Sequence, residues 1–314
     1  MSDLPLVAIV GPTAIGKSSL ALHLAGTFRG EIVSADSRQV YLSMDIGTGK
    51  PTAEQRARVP HHLVDCISPN EEFSLTVFLQ MAKEAVADIQ DRCLLPILVG
   101  GTGQYLWGFL EGWQAPQVEA DEELRRELEN IATTEGPQVL HNNLKLVDPE
   151  SAEKIDYRNV RRIVRALEIY HSTGKPAAEL RSRQPGRYHQ LVLGLDTSRE
   201  DLYRRIDDRV DEMFAMGLVA EVESLLAAGY SPTLPSMSGI GYQEVISYLE
   251  GGLSLEEANL QIKFNTHRLA RHQYAWFRRN DPRITWLRVG DDLESLATAT
   301  VRRFLQSEAA AVLE

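Results

Sequence analysis

The residues most able to do chemistry lie near the start of the chain. Gly11-Pro12-Thr13-Ala14-Ile15-Gly16-Lys17-Ser18 satisfies every fixed position of the phosphate-loop spacing G-x-x-x-x-G-K-[ST]. At average residue usage such a match arises by chance in roughly one chain in a hundred. The physical reason for the spacing is direct. Glycines let the backbone curl until its N–H groups point inward at phosphate oxygens. A following helix N-terminus adds a favourable dipole. Lys17 brings a positive charge, Thr13 a further hydroxyl, and the Ser18 hydroxyl can ligate Mg2+. Gly11 to Ser18 as a whole are therefore expected to hold a diphosphate or a nucleotide.

A second candidate is Asp36. It ends the short apolar run Ile32-Val33-Ser34-Ala35 and is followed by Ser37, Arg38 and Gln39, which suit a base or a sugar. ATP- or GTP-hydrolysing phosphate-loop proteins hold their metal with a second acid at the end of an apolar strand. Here the run Leu94–Val99 ends in Gly100-Gly101-Thr102 instead. Asp36 is thus expected to act on the group-accepting molecule rather than on the metal. The competing reading is an ordinary turn or capping aspartate.

The net charge of −11 and pI near 5.3 speak against a nucleic-acid partner only as an average. No acid occurs between Ala258 and Asn280, where Lys263, His267, Arg268, Arg271, His272, Arg278 and Arg279 are interleaved with Phe264, Tyr274, Trp276 and Phe277. Lys263, His267 and Arg271 recur every fourth residue, one helical face. Arg158, Arg161, Arg162 and Arg165 have the spacing of another. Both clusters are expected to touch an RNA backbone. The alternative is a solvated face pairing with acids elsewhere.

These residues need elements to position them. Leu6–Val10, Ile32–Ala35 and Leu94–Val99 read as buried strands, and Ser18–Ala25 and Val77–Ile89 as helices. Such alternation implies a parallel sheet with helices on both faces, with ligands at the carboxyl ends of the strands. From Asp121 to about Arg183 only helical signals appear, including Asn159–His171. Strand signals return at Leu191–Asp196 and Ile284–Val289, with helices over Arg199–Ala228 between them. The expected fold is α/β: a P-loop parallel sheet core (1–115 and 188–314) with an inserted all-helical subdomain (116–187). Two cysteines, Cys66 and Cys93, make no disulfide framework. His61-His62 with Cys66 lacks the ligand set of a structural zinc site. The start has no basic leader, and no apolar run is long enough to span a bilayer. A cytoplasmic protein without membrane contact is expected.

Four stretches together resemble the tRNA dimethylallyltransferase (tRNA isopentenyltransferase) family. They are Gly-Pro-Thr-Ala-Ile-Gly-Lys-Ser at 11–18, Asp-Ser-Arg-Gln-Val-Tyr at 36–41, Met-Asp-Ile-Gly-Thr-Gly-Lys-Pro at 44–51, and Gly-Gly-Thr-Gly-Gln-Tyr at 100–105. Pro60–Leu63, Arg161–Glu168 and Gly239–Glu244 follow the same pattern, in order, and the resemblance runs from about residue 6 to 290. It implies transfer of a dimethylallyl group from dimethylallyl diphosphate to the exocyclic N6 amine of the adenosine 3′ of the anticodon. In that reading the phosphate loop and Arg209 hold a departing diphosphate, with Mg2+ at Ser18. Asp36 is the general base for a weakly nucleophilic amine, and Lys17 and Thr102 join it in the site. The target base must leave its stack.

The resemblance further implies an RNA surface, bearing the anticodon stem-loop, made of Asp36, Ser37, Arg38, Gln39, Thr102, Arg125, Arg161, Arg162, Arg165, Gly239, Ile240, Gly241, Tyr242, Gln243, Lys263, Arg268 and Arg271. The absence of a terminal zinc-finger set points to a bacterial-type or organellar member, expected to be a monomer. Competing readings are a small-molecule kinase or NTPase, a prenyltransferase of free adenine nucleotides, and a non-enzymatic RNA-binding module.

Overall fold

The computed structural model describes residues 4–114, 116, 118, 120–180, 182–183 and 188–311. It separates into two compact units, Met1–Leu110 with Gly186–Glu314, and Glu111–Pro185. Residues 115 and 187, where the sequence ends the first core segment and the insertion, lie outside the described residues.

The chain begins with β1 (Leu4–Val10), α1 (Lys17–Phe28), β2 (Gly30–Ser34), α2 (Ala53–Arg58), β3 (His61–His62), α3 (Leu75–Asp91), β4 (Leu95–Gly100) and α4 (Gly103–Leu110). The second unit contains β5 (Trp113–Gln114), α5 (Glu122–Thr134), α6 (Pro137–Val147), α7 (Pro149–Lys154), α8 (Val160–Thr173), α9 (Ala177–Leu180) and β6 (Ser182–Arg183). The first unit resumes with β7 (Tyr188–Asp196), α10 (Arg199–Met216), α11 (Leu218–Ala227), α12 (Tyr242–Leu249), α13 (Leu255–Trp276), β8 (Ile284–Arg288) and α14 (Leu293–Ala311).

The first unit is built on a six-stranded sheet in the order β3-β2-β4-β1-β7-β8. All its pairings are parallel. That explains why the strands read as unbroken apolar runs rather than alternating ones: Leu6 through Val10 are all at 0% exposure, because both faces of the sheet are covered. β1 occupies an interior position with β4 on one side and β7 on the other, so the loop that follows it opens at the middle of the sheet's carboxyl edge. β3, two residues long, escapes sequence reading because its side chains carry no period to detect.

The stretch Arg199–Ala228 forms two helices, as its sequence suggests. Gly217 adopts φ 101°, a conformation glycine takes without strain, and it ends α10 and begins α11. The second unit packs its own core around Leu140, Leu144, Ile163, Val164 and Leu167. It is not purely helical: Trp113 and Gln114 pair antiparallel with Arg183 and Ser182. Two-residue strands are held by the pairing of remote segments, which no local pattern announces.

Candidate active site at the phosphate loop

The loop after β1 is shaped by three residues in unusual conformations: Gly11 (φ 144°), Ala14 (φ 60°) and Gly16 (φ 106°). Gly11 is further required by contact, since a Cβ there would lie 3.1 Å from the carbonyl oxygen of Leu195 on β7. Ile15, at 0% exposure, pins the loop to the core. Gly16 caps α1 with no side-chain acceptor, so no cap side chain takes up the N–H groups of the first turn. Such donors at a helix start favour an anion.

Lys17 lies in this curl and donates from Nζ to the Pro12 carbonyl at 2.7 Å. Burial pushes its ammonium down to about 7, Asp36 pulls it partly back, and Arg209 lowers it further. Arg209, on α10, is likewise pushed down by burial, opposed by Asp36 and Glu212. Lys17, Asp36 and Arg209 are therefore electrostatic neighbours, although the start of α1, the loop after β2 and α10 carry them.

Asp36 reaches this place because Ala35 extends the pairing of β2, its N–H donating to Val99 at 2.7 Å. Between β2 and β1 lies β4, which ends in Gly100 and Gly101. A Cβ on Gly100 would stand 2.2 Å from the Ala35 carbonyl, so the strand ends close tightly only because no side chain is there. One carboxylate oxygen of Asp36 accepts the N–H groups of Arg38 at 2.8 Å and Gln39 at 3.4 Å. Asp36 is thus a turn-forming residue as well as a neighbour of the loop. Half-buried Thr102 follows Gly101, and its carbonyl accepts the N–H groups of Tyr105 and Leu106 at the start of α4.

Other residues named from the sequence are committed to internal bonds. Arg38 donates to the carbonyls of Pro235 and Ser236 at 2.6 and 3.0 Å and to the Ser238 hydroxyl at 3.2 Å. It thereby joins the 36–39 turn to the segment before Gly239, Ile240 and Gly241. Gln39 accepts from the Ser34 hydroxyl at 3.0 Å and donates to the carbonyls of Thr48 and Gly49. Ser37 and Ile240 are half-buried and Gln243 is exposed.

Tyr242, named from the sequence as an RNA contact, has its side chain inside the core. Its side chain is 1% exposed and its hydroxyl donates to Glu221 at 2.7 Å. Glu221 also accepts the N–H groups of Asp45, Ile46 and Gly47. Gly47 has no room for a side chain, because a Cβ would lie 2.6 Å from the Tyr242 ring, and one on Gly49 would lie 1.7 Å from an Arg209 nitrogen. The 44–51 stretch is therefore a fitted strap that packs Tyr242 and Arg209, with buried Lys50 binding Asp45 at 2.8 Å as well as Asp65.

The two basic clusters also divide. In the second unit, Arg158 precedes α8 and pairs with Asp156 at 2.7 Å, so it does not share the helical face. Arg165 and Arg125 both bind Glu168, a carboxylate 1% exposed, Arg125 at 2.8 Å. Their guanidiniums neutralise a buried charge. Arg161 and Arg162 are exposed. On α13, Lys263 binds Asp211 at 2.7 Å, His267 faces Asp207 at 2.9 Å, and Arg271 donates to the Tyr203 hydroxyl at 2.8 Å. The face that the four-residue spacing selects is the one packed on α10, because a helix side that recurs regularly is as readily a seam as a surface. Arg268 is exposed.

Two residues of the site have no counterpart among those singled out from the sequence. Glu221 organises the strap, and Gln273 bonds to Thr13 of the phosphate loop at 2.8 Å. The only signal for Gln273 was its place in a segment free of acids. Among the described residues no helix is long and apolar enough to cross a membrane.

Comparison with known proteins agrees with the sequence motifs. A model of the IPP transferase family matches residues 39–280, and an isopentenyl transferase model matches residues 4–60. The chain is 50% identical over 304 residues to a tRNA dimethylallyltransferase of Roseiflexus sp. strain RS-1, covering 97% of this chain and 100% of the relative. Identity to the tRNA dimethylallyltransferase of Roseiflexus castenholzii is 52% over 304 residues, 97% of this chain and 99% of the relative. Among solved structures, a tRNA isopentenylpyrophosphate transferase of Bacillus halodurans superposes with TM-score 0.73 at 39% identity, covering 99% of both chains. A eukaryotic dimethylallyltransferase captured acting on tRNA superposes with TM-score 0.81 at 29% identity, covering 97% of this chain and 80% of that one. The fold, the phosphate loop and half of all residues held in common over nearly the full length establish that this chain belongs to the tRNA dimethylallyltransferase family.

Proposed function

We propose that this chain transfers a dimethylallyl group from dimethylallyl diphosphate to the exocyclic N6 amine of the adenosine 3′ of the anticodon in tRNA. The observation that carries the reading is the convergence of Lys17, Asp36 and Arg209 beside the phosphate loop. Two cations and a set of backbone donors suit a diphosphate, and the carboxylate beside them suits a proton leaving an amine.

In the forward step the carbon–oxygen bond to the diphosphate breaks, and a carbon–nitrogen bond to adenine forms. Charge grows on the diphosphate, and fixed donors aimed at that charge lower the barrier. Lys17, Arg209 and the first-turn N–H groups of α1 do this. Asp36 uses one oxygen to hold its own turn. Its other oxygen takes the proton that the amine must lose, a role worth typically a hundredfold to ten-thousandfold.

The donor set fits a magnesium ion. Ser18 is exposed at the first turn of α1, and among the described residues no three His, Cys, Asp or Glu side chains gather into a cage. Magnesium readily keeps phosphate and water oxygens as most of its ligands. Ser18 would supply the protein's oxygen, and the ion, when bound, neutralises diphosphate charge.

The anticodon stem-loop is assigned to the exposed or half-buried positions whose side chains, among the described residues, are not spent on internal hydrogen bonds or ion pairs. These are Ser37, Ile240 and Gln243 around the 36–39 turn, Arg268 on α13, and Arg161 and Arg162 on α8. The reaction belongs to the cytoplasm, where unmodified tRNA is found. One experiment tests the whole reading: incubation with dimethylallyl diphosphate, magnesium and unmodified tRNA, followed by mass spectrometry of the nucleosides. Prenylated adenosine at the position 3′ of the anticodon is expected. Hydrolysis of ATP with no prenylated product, or prenylation of free AMP alone, rejects it.

A further inference from the structure

Gln273 lies in the last turn of α13, within the acid-free segment, yet it is buried and uncharged. Its amide makes two bonds of opposite sense. Oε1 accepts the Thr13 N–H at 2.8 Å, and Nε2 donates to the Gly101 carbonyl at 3.1 Å. The partners belong to different loops, the phosphate loop after β1 and the turn after β4 that leads into Thr102. Of the side chains of this length, only an uncharged amide offers an acceptor and a donor side by side without a titrating proton.

The surroundings are built around this bridge. A Cβ on Gly101 would lie 2.3 Å from Nε2 of Gln273. One turn along, a Cβ on Gly103 would lie 2.3 Å from Cγ of Trp276, and the Trp107 indole donates to the Trp276 carbonyl at 3.0 Å. The end of α13 is therefore fitted to residues 101–107 at three points, and Gln273 carries that fit through to the phosphate loop. With the Thr13 N–H taken by Gln273, the donors left for a diphosphate begin further along the loop.

We propose that Gln273 is a positioning residue that sets the spacing between the diphosphate cradle and the Gly101–Thr102 turn, and so holds donor and acceptor in register; this rests on the prenyl-transfer reading above. A misplacement of about 1 Å between reactants can cost on the order of a hundredfold in rate. The bridge acts on the rate of the chemical step and leaves the affinity of the loop for diphosphate almost unchanged.

The test uses the full chain with dimethylallyl diphosphate, magnesium and unmodified tRNA. Single-turnover rates are measured beside calorimetric binding of inorganic diphosphate and thermal unfolding. Gln273→Ala is expected to slow the single turnover about 30- to 100-fold with diphosphate affinity within about threefold of wild type. Gln273→Glu keeps the acceptor for Thr13 but turns a second acceptor toward the Gly101 carbonyl, unless its carboxyl is protonated. Its rate relative to wild type should therefore rise as pH is lowered from 9 to 5.5. Gly101→Ala, which crowds Nε2 from the other side, should be slow alone and nearly harmless in the Gln273→Ala background, because the atom it strikes is gone.

A relative rate of Gln273→Glu that is flat with pH, or full additivity of the two alanine changes, overturns the proposal. Should Gln273→Ala prove unfolded, the pH profile of Gln273→Glu and the rate of Gly101→Ala decide the matter. A wild-type chain that makes no prenylated RNA removes the functional reading and this inference together. An active wild type with unaltered variants removes this inference alone.

Discussion

The hydroxyl of Tyr242 on α12 donates to Glu221 on α11 at 2.7 Å, and the same carboxylate receives three consecutive backbone N–H groups, those of Asp45, Ile46 and Gly47. A segment without regular secondary structure is thereby held by one half-buried carboxylate. Tyr242→Phe keeps the ring that fills the space beside Gly47 and removes only the bond. A hydrogen bond to a charged group is worth about 1.5–3 kcal/mol. At roughly 2–4 °C per kcal/mol for a chain of this size, the melting temperature should fall by several degrees. Thermal unfolding followed by circular dichroism checks this, and an unchanged transition would mean that Glu221 holds the strap without Tyr242.

Asp36→Asn separates the turn from the chemistry. An amide oxygen still accepts the Arg38 N–H, so the fold and RNA affinity should stay near wild type. The proton acceptor is lost, and single-turnover prenyl transfer should slow by about a hundredfold to ten-thousandfold. A variant with near-normal single-turnover rate shows that Asp36 serves the turn alone.

Lys17 makes donor binding depend on pH. Its folded value of about 7 lies below the ordinary 10.5, so the empty protein binds fewer protons than the unfolded chain between those two pH values. The cost of burying the charge is complete below about pH 7 and is relieved as pH rises toward 10.5, so the empty protein gains stability across that window. A bound diphosphate favours the charged form and reverses the preference. Affinity should fall as pH rises above 7, with proton uptake on binding. Calorimetry of diphosphate binding in two buffers of different ionisation enthalpy measures that uptake. Lys17→Met should bind weakly, with the uptake reduced and the pH dependence of stability flattened. Equal uptake by wild type and Lys17→Met assigns the proton elsewhere.

The arginines of the second unit should part company. Arg165→Ala leaves Glu168 buried with Arg125 and the Asp121 N–H as partners. It should destabilise the protein by about 1–3 kcal/mol, as the loss of a partner to a buried charge does. Arg162→Glu should leave stability within about 0.5 kcal/mol. It should weaken RNA binding and shallow the logarithmic salt dependence by about one unit. Fluorescence anisotropy of an anticodon stem-loop across a salt series, beside denaturant unfolding, tells them apart. If Arg162→Glu leaves the salt slope unchanged, Arg162 is not a phosphate contact.

What the sequence determined by itself was local or patterned. The phosphate loop is legible because its chemistry is carried by consecutive residues, and the parallel sheet because doubly covered strands must be apolar throughout, as Leu6–Val10 and Leu95–Val99 are. The family could be named because its motifs recur in order. Only the tertiary structure decided what each polar side chain spends its bonds on. Spacing placed Lys263, His267 and Arg271 on one face but could not say that α10 brings Asp211, Asp207 and Tyr203 against it. It could not tell Arg162 from Arg165, since the difference is a buried Glu168 that also takes Arg125 from another helix. Nor could it single out Gln273 among the basic residues around it. Hydrogen bonds and ion pairs act over a few ångströms, and which groups come within that reach is set by packing between elements far apart in the chain.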